Sequence, residues 1–211
     1  VNGNISIIGV GNMASALAQR ALAGGNAVEI IGRDSTKANE LAAALDGATV
    51  GTPGNAPVGD IVILAVPYTS AAEVVSGYGD ALSGKIVIDI TNPVAPDMTG
   101  LLTPEGSSSA QEIAKAAPAG AHVVKAFNTV FGHVLTAAAA EGRSLDVFLA
   151  GDDAQARTRV SAFVESLGLR PLDAGPLPMA RALENAGLLE ISLMNHALEN
   201  TSFALGVTVL D

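Results

Sequence analysis

The stretch Ile7-Ile8-Gly9-Val10-Gly11-Asn12-Met13-Ala14 decides how this chain is read. A short apolar run beginning at Ile5 leads into G-x-G-x-x-A, and Met13, Leu17 and Ala21 follow at helical spacing. This is the pattern of a first strand turning into a first helix around a pyrophosphate. Gly9 would allow the tight turn, Gly11 would let the backbone approach the anion with no Cβ in the way, and Ala14 would let the helix pack close on the strand. The helix N-terminus would offer unpaired N–H groups and a partial positive charge. A dinucleotide is the expected ligand.

The next strand says which dinucleotide. It runs Val28-Glu29-Ile30-Ile31-Gly32-Arg33-Asp34, and Gly32 stands where an NAD site carries an acid for the ribose hydroxyls. Arg33 follows at once and Lys37 one turn later, so a guanidinium and an ammonium replace the acid, which suits the 2′-phosphate of NADP(H). The competing reading makes Arg33 and Lys37 solvated residues at a helix start that Asp34 or Ser35 caps, with Asp34 still available to a ribose.

Outward from there, apolar runs of strand length alternate with helical stretches. Strands are expected at 5–9, 27–31, 48–50, 60–66, 85–90, 121–126, 145–150 and 169–173. Helices are expected at 13–23, 36–45, 70–82, 110–117, 134–140 and 154–167, the last stopping at Gly168. Most strands are apolar at every position, as parallel strands covered on both faces are. The expected fold is α/β: a doubly wound, mainly parallel, eight-stranded Rossmann sheet with helices on both faces. Residues 1–177 would form the NADP(H)-binding domain and 178–211 a C-terminal helical extension. Within that extension, 179–199 reads as a helix apolar on more than one face. The excess suggests packing on the same domain and on a second subunit, and the apolar stretch 203–210 would join that surface.

Composition removes several functions. The 211 residues include no cysteine, which excludes disulfides, thiolate nucleophiles and cysteine-ligated metal centres. A net charge of −10 without a basic cluster argues against nucleic acid and anionic membranes as partners. No run approaches the length needed to span a bilayer, and the chain reads as soluble and cytoplasmic. His122, His133 and His196 lack metal-ligand spacing and read as structural or surface residues, and Asp89 reads as structural. No side-chain acid or base for catalysis stands out.

Three strand ends supply candidates for the rest of the cleft: Ala65-Val66-Pro67, Thr91-Asn92-Pro93 and Ala126-Phe127-Asn128-Thr129. Each pairs small residues with amide or hydroxyl groups at the carboxyl end of a strand, where such sheets bind ligands. Each taken alone also reads as an ordinary turn or cap.

The segments GVGNMASALA, IIGRDSTKA, DIVILAVPY, IVIDITNP, VVKAFNTV and GLRPLDAGPL, in order over 9–177, resemble the NADPH-dependent reductases of the deazaflavin coenzyme F420. They are similar as well to the cytosolic oxidoreductase domain of the STEAP metalloreductases. The resemblance implies hydride transfer between NADPH and a deazaflavin or flavin, bound as a second cofactor or substrate; a homodimer is expected from the apolar excess of 179–199. It implies that Gly9, Gly11, Asn12 and Met13 hold the pyrophosphate, and Arg33 with Lys37 the 2′-phosphate. Val66, Pro67, Asn92, Ala126 and Asn128 would frame ribose and nicotinamide. The archaeal deazaflavin enzymes carry a histidine where this chain has Asn128, and the segment from Pro178 to Asn185 is closer to the metalloreductase pattern. Hydride transfer between two rings can proceed by positioning alone. Two further readings are a non-catalytic NADP(H)-binding module that senses or delivers nucleotide, and a reductase of an imine or carbonyl.

Overall fold

A strand that is apolar at every position needs cover on both faces, and the sheet in the computed structural model, which describes residues 3–142 and 144–210, has it. Its strands are β1 Asn4–Ile8, β2 Ala27–Ile31, β3 Thr49–Gly51, β4 Ile61–Leu64, β5 Ile86–Asp89, β6 His122–Ala126, β7 Asp146–Gly151 and β8 Arg170–Asp173. They lie in the order β3-β2-β1-β4-β5-β6-β7-β8. All neighbours are parallel except β6 and β7, which pair antiparallel with Ala126 opposite Leu149. The doubly wound, mainly parallel, eight-stranded sheet read from the sequence is therefore the observed fold.

The helices are α1 Asn12–Ala23, α2 Ser35–Ala44, α3 Tyr68–Tyr78, α4 Ser109–Ala116, α5 Gly132–Ala140, α6 Ala154–Ser166 and α7 Ala180–His196. Within β4, Ile61 and Ile63 point to one face, where Leu17 of α1, Leu135 of α5 and Phe163 of α6 pack. Val62 and Leu64 point to the other, against Val75 of α3, Ile113 of α4 and Ala180 of α7. The period-2 geometry of a strand thus divides one apolar run between two cores.

Local chemistry sets the helix ends. The Asp153 carboxylate caps α6 by accepting from the Ala156 N–H at 2.7 Å, and Gly168 at φ +71° ends the same helix in the left-handed conformation. The third helix differs from the expected 70–82. It begins directly after Pro67 and stops at Tyr78, because Gly79 at φ +48° breaks it and leaves 79–82 as a separate 3₁₀ turn.

The segment after α7 has no regular secondary structure. Phe203 meets Phe131 edge-on at 6.0 Å, and the Val207 N–H donates to Asp146 Oδ2 at 2.7 Å. Asp146 also takes two hydrogen bonds from Arg170, each 2.6 Å, and these hold its carboxyl below the usual range. Val209 and Leu210 at the end of this stretch are 80% and 86% exposed.

Glu190 is buried on α7, and neither of its oxygens has a hydrogen-bond partner among the described residues. Burial pushes its carboxyl up to about 8. A carboxyl with a folded pKa above its unfolded value (~4.3) binds more protons when folded. Stability is therefore highest below pH ~4.3, as far as this group is concerned, and declines as pH rises toward 8. Glu190→Gln should flatten that decline and raise stability at pH 7 by on the order of 2–4 kcal/mol. Urea unfolding of both proteins at pH 5 and pH 8 checks this; parallel pH dependences would contradict it.

Candidate functional site

The turn from β1 into α1 is built on two glycines with different jobs. Gly9 sits at φ +134° and donates its N–H to the Ile31 carbonyl at 2.8 Å. A Cβ there would lie 2.1 Å from the Ala65 carbonyl oxygen, so only glycine lets β1, β2 and β4 close together at this point. Gly11 precedes α1 with ordinary backbone angles and no side-chain cap, and a Cβ on it would have no atom within 4 Å. It faces open space at an uncapped helix N-terminus, which leaves the approach free for an anion.

Two cavities adjoin across the Gly11–Asn12 peptide. The first, about 620 Å³, runs from Gly9, Val10 and Gly11 along Gly32, Arg33 and Lys37 to Ala65, Val66, Pro67 and Tyr78. Gly32 has a packing reason, because a Cβ there would come within 2.7 Å of Val10 Cγ1. Asp34 caps α2, its Oδ1 accepting from Thr36 N at 3.0 Å and Lys37 N at 3.3 Å. The Arg33 and Lys37 side chains are exposed and make no hydrogen bond or ion pair among the described residues. Two unpaired cations thus rim one end of a cavity in an acidic protein, and these residues fit a phosphate-bearing nucleotide.

The second cavity, about 780 Å³, is lined by Asn12 and Met13 of α1, by Asn92 and Asn128, and by Phe131 and His133 at the start of α5. The chain reaches Asn128 through Phe127, held at φ +63°. That conformation is costly for a bulky residue, and the buried Phe127 ring, edge-on to Phe163 at 6.2 Å, holds it in place. Asn92 Nδ2 donates to the Asn128 carbonyl at 2.7 Å. Asn128 Nδ2 donates to Asn92 Oδ1 at 3.0 Å and to the Leu183 carbonyl at 2.8 Å. Asn128 Oδ1 is buried with no partner among the described residues, an acceptor still to be satisfied. His133, read from sequence as structural or surface, lines this cavity. Its ring stacks on Phe131 at 5.8 Å and 11°, with Nε2 3.0 Å from the Thr201 carbonyl.

Residues 4–93 match the family model described as NADP oxidoreductase, coenzyme F420-dependent. Through that segment, a little under half of its length, the chain is similar to this family. It is 28% identical over 207 residues to the F420-dependent NADP reductase of Methanothermobacter thermautotrophicus, covering 90% of this chain and 88% of that one. It is 29% identical over 205 residues to the metalloreductase STEAP3 of Rattus norvegicus. That alignment takes in 97% of this chain but only 40% of the rat protein's length. A crystal structure of a putative F420-dependent NADP-reductase from an Arthrobacter species superposes with a TM-score of 0.85 over 97% of this chain and 99% of that one. At 24% identity it shows the shared fold.

Of the residues expected in the site, Gly9, Gly11, Arg33, Lys37, Ala65, Val66 and Pro67 line the first cavity, and Asn12, Met13, Asn92 and Asn128 line the second. Pro93 lines neither, and Ala126 and Thr129 are buried away from both. Phe131, His133 and Thr136 line the second cavity and were not expected there. His133 is the one titratable side chain among the residues lining that cavity. Tyr68 hydrogen-bonds Glu112 at 2.8 Å, and burial, then that carboxylate, push its phenol up to about 12.

Behind the second cavity lies a dry ionic cluster that sequence reading did not assemble. Lys125 Nζ, with no solvent exposure, bonds Asp89 Oδ2 at 2.9 Å, Ser109 Oγ at 2.8 Å and the Thr91 carbonyl, with Glu184 Oε1 at 3.0 Å. The Ser109 N–H also donates to Glu184 Oε1 at 2.9 Å. The signal available in sequence was one lysine and one aspartate inside two apolar strands. Asp89 and Lys125 are register partners, but nothing in the sequence linked them to Glu184, on a helix 59 positions beyond Lys125 (184 − 125).

Two glycine substitutions separate fold from binding. Gly9→Ala should cost about 2 kcal/mol or more in urea unfolding, because it both clashes and needs a left-handed conformation. Gly11→Val should stay within about 1 kcal/mol of the parent protein yet bind NADPH measurably more weakly in a titration. Equal stabilities for the two variants would contradict the division of roles.

Proposed function

We propose that this protein transfers hydride between NADPH and a flat deazaflavin or flavin ring, with F420 the first candidate acceptor. The observation that carries the proposal is the pair of cavities meeting at the Gly11–Asn12 peptide. One has free cations at its far end. The other is larger, carries a polar Asn92–Asn128 pair, and is walled by the stacked Phe131 and His133.

In this reading Gly11, Asn12 and Met13 receive the pyrophosphate at the N-terminus of α1, and Arg33 and Lys37 hold the 2′-phosphate. Ala65, Val66 and Pro67 line the path of the nucleotide. Asn128 Oδ1 accepts from the nicotinamide carboxamide, and Asn92 fixes the Asn128 orientation through their reciprocal hydrogen bonds. When bound, the nucleotide supplies the hydride. The protein's own part is to hold two rings face to face and exclude water. No carboxylate, lysine or tyrosine is among the residues lining the second cavity, where His133 is the one titratable side chain, and this suits a ring acceptor better than a carbonyl. We propose further that the exposed side of α7 around Leu189 meets a second copy. Sedimentation analysis reading only a monomer at micromolar concentration would remove that part.

Mixing the protein with NADPH and, separately, F420, FMN, FAD and riboflavin tests the activity. Loss of the NADPH absorbance with F420 or a flavin is the expected result, and tight NADPH binding with turnover of none of them would instead favour a sensor. Arg33→Ala should weaken NADPH binding by about 1–3 kcal/mol while leaving NADH binding nearly unchanged. Equal losses for both nucleotides would remove the 2′-phosphate assignment.

A further inference from the structure

The Lys125 cluster holds one cation against two carboxylates. Its formal charges sum to −1 (one Lys, one Asp, one Glu), and all three side chains are fully buried. The charge is not balanced within the cluster. Ser109 has a single hydroxyl proton, yet its Oγ lies 2.7 Å from Asp89 Oδ2 and 2.6 Å from Glu184 Oε1, so it serves one carboxylate at a time. Glu184 Oε2 is buried with no hydrogen-bond partner among the described residues. Nearby, Glu112 adds further negative charge beside Tyr68, which feels Glu184 as well.

The cluster lies directly behind the second cavity. Lys125 bonds the carbonyl of Thr91, the residue before Asn92, and Glu184 follows Leu183, whose carbonyl receives Asn128 Nδ2. Both asparagines that line the cavity are therefore one peptide unit from a cluster member. Asn128, 97% buried with its Oδ1 unpartnered, marks that wall as one meant for a ligand. Charge fixed in a dry interior acts over such distances with little screening.

We infer that the Asp89–Lys125–Glu184 cluster tunes the nucleotide's redox balance, its excess negative charge favouring the oxidised, positively charged nicotinamide over the neutral reduced one. This rests on the proposed placement of the nicotinamide in the second cavity. None of its three members is among the residues lining the second cavity. Its members are positioning residues whose field reaches the site through Thr91, Asn92 and Asn128.

The test compares dissociation constants for NADP⁺ and NADPH by calorimetry in the full chain. Both ligands carry the same phosphates, so their ratio isolates the ring. Glu184→Gln keeps the Oε1 acceptor and removes one charge. It should weaken NADP⁺ relative to NADPH by about 3–10-fold, raising the potential of the bound couple by ~14–30 mV. Asp89→Asn should move the ratio the same way, and supplies the answer if Glu184→Gln fails to fold. Glu184→Asp keeps the charge and should keep the ratio, even if both affinities fall. Equal weakening of both nucleotides in Glu184→Gln and Asp89→Asn would overturn the inference and leave the cluster a purely structural tie, with the binding reading intact. Failure of the parent protein to bind either nucleotide would overturn the binding reading itself, and this inference with it.

Discussion

The ammonium of Lys125 is the point at which the separate elements of this protein are tied together. It stands on β6, bonds Asp89 at the end of β5 and Ser109 at the start of α4, and meets Glu184 on α7. The polar groups that would otherwise be costly inside a sheet are nearly all satisfied by one another. A buried ion cluster of this kind adds little net stability compared with apolar packing, but breaking it leaves uncompensated charge in the interior. Its effect is on geometry. It determines where α7 lies, and through the Leu183 carbonyl it determines how Asn128 is turned.

The two cavities inherit their shapes from that arrangement and from the β1–α1 turn. On the side of the first cavity, close approach of β1, β2 and β4 at Gly9 sets the floor, and the Asp34 carboxylate, engaged in the helix cap, leaves the Arg33 and Lys37 side chains without partners among the described residues. On the other side, Gly187 of α7 allows contact with Asn92, since a Cβ there would fall 2.4 Å from Asn92 Oδ1. The wall formed by Phe131 and His133 leans on Thr201 and Phe203 from the segment after α7. An element far along the chain thus completes a site that begins at residue 9. In this acidic protein the charge is unevenly placed: cations rim one end of the first cavity, and buried carboxylates lie behind the second.

Much of the fold was legible because its signals are local. Continuous apolar runs such as Ile61-Val62-Ile63-Leu64 announce a strand covered on both faces, and each of the eight expected strands overlaps an observed one. The lining of the first cavity was legible for the same reason: Gly9, Gly11, Gly32, Arg33 and Lys37 are placed by backbone turns and by neighbours in sequence. Where reading failed locally, the cause was a glycine, as at Gly79, whose left-handed backbone splits one expected helix into two elements. The second cavity, with Asn92 and Asn128, was far less legible. His133 looked like any surface histidine until Phe131 and Thr201 were brought against it, and Thr129 and Pro93 looked like lining residues until the fold turned them away.

The sequence by itself determined the doubly wound sheet and the glycine turn that opens toward a phosphate, because periodicity and backbone sterics depend on residues a few positions apart. Only the tertiary structure decided the ionic cluster of Asp89, Lys125, Ser109 and Glu184 and the orientation of Asn128 above it. Burial, unlike turn geometry, is a property of what packs against a residue. A lysine in an apolar strand joins a buried ion cluster only when a helix from the far end of the chain brings the second carboxylate.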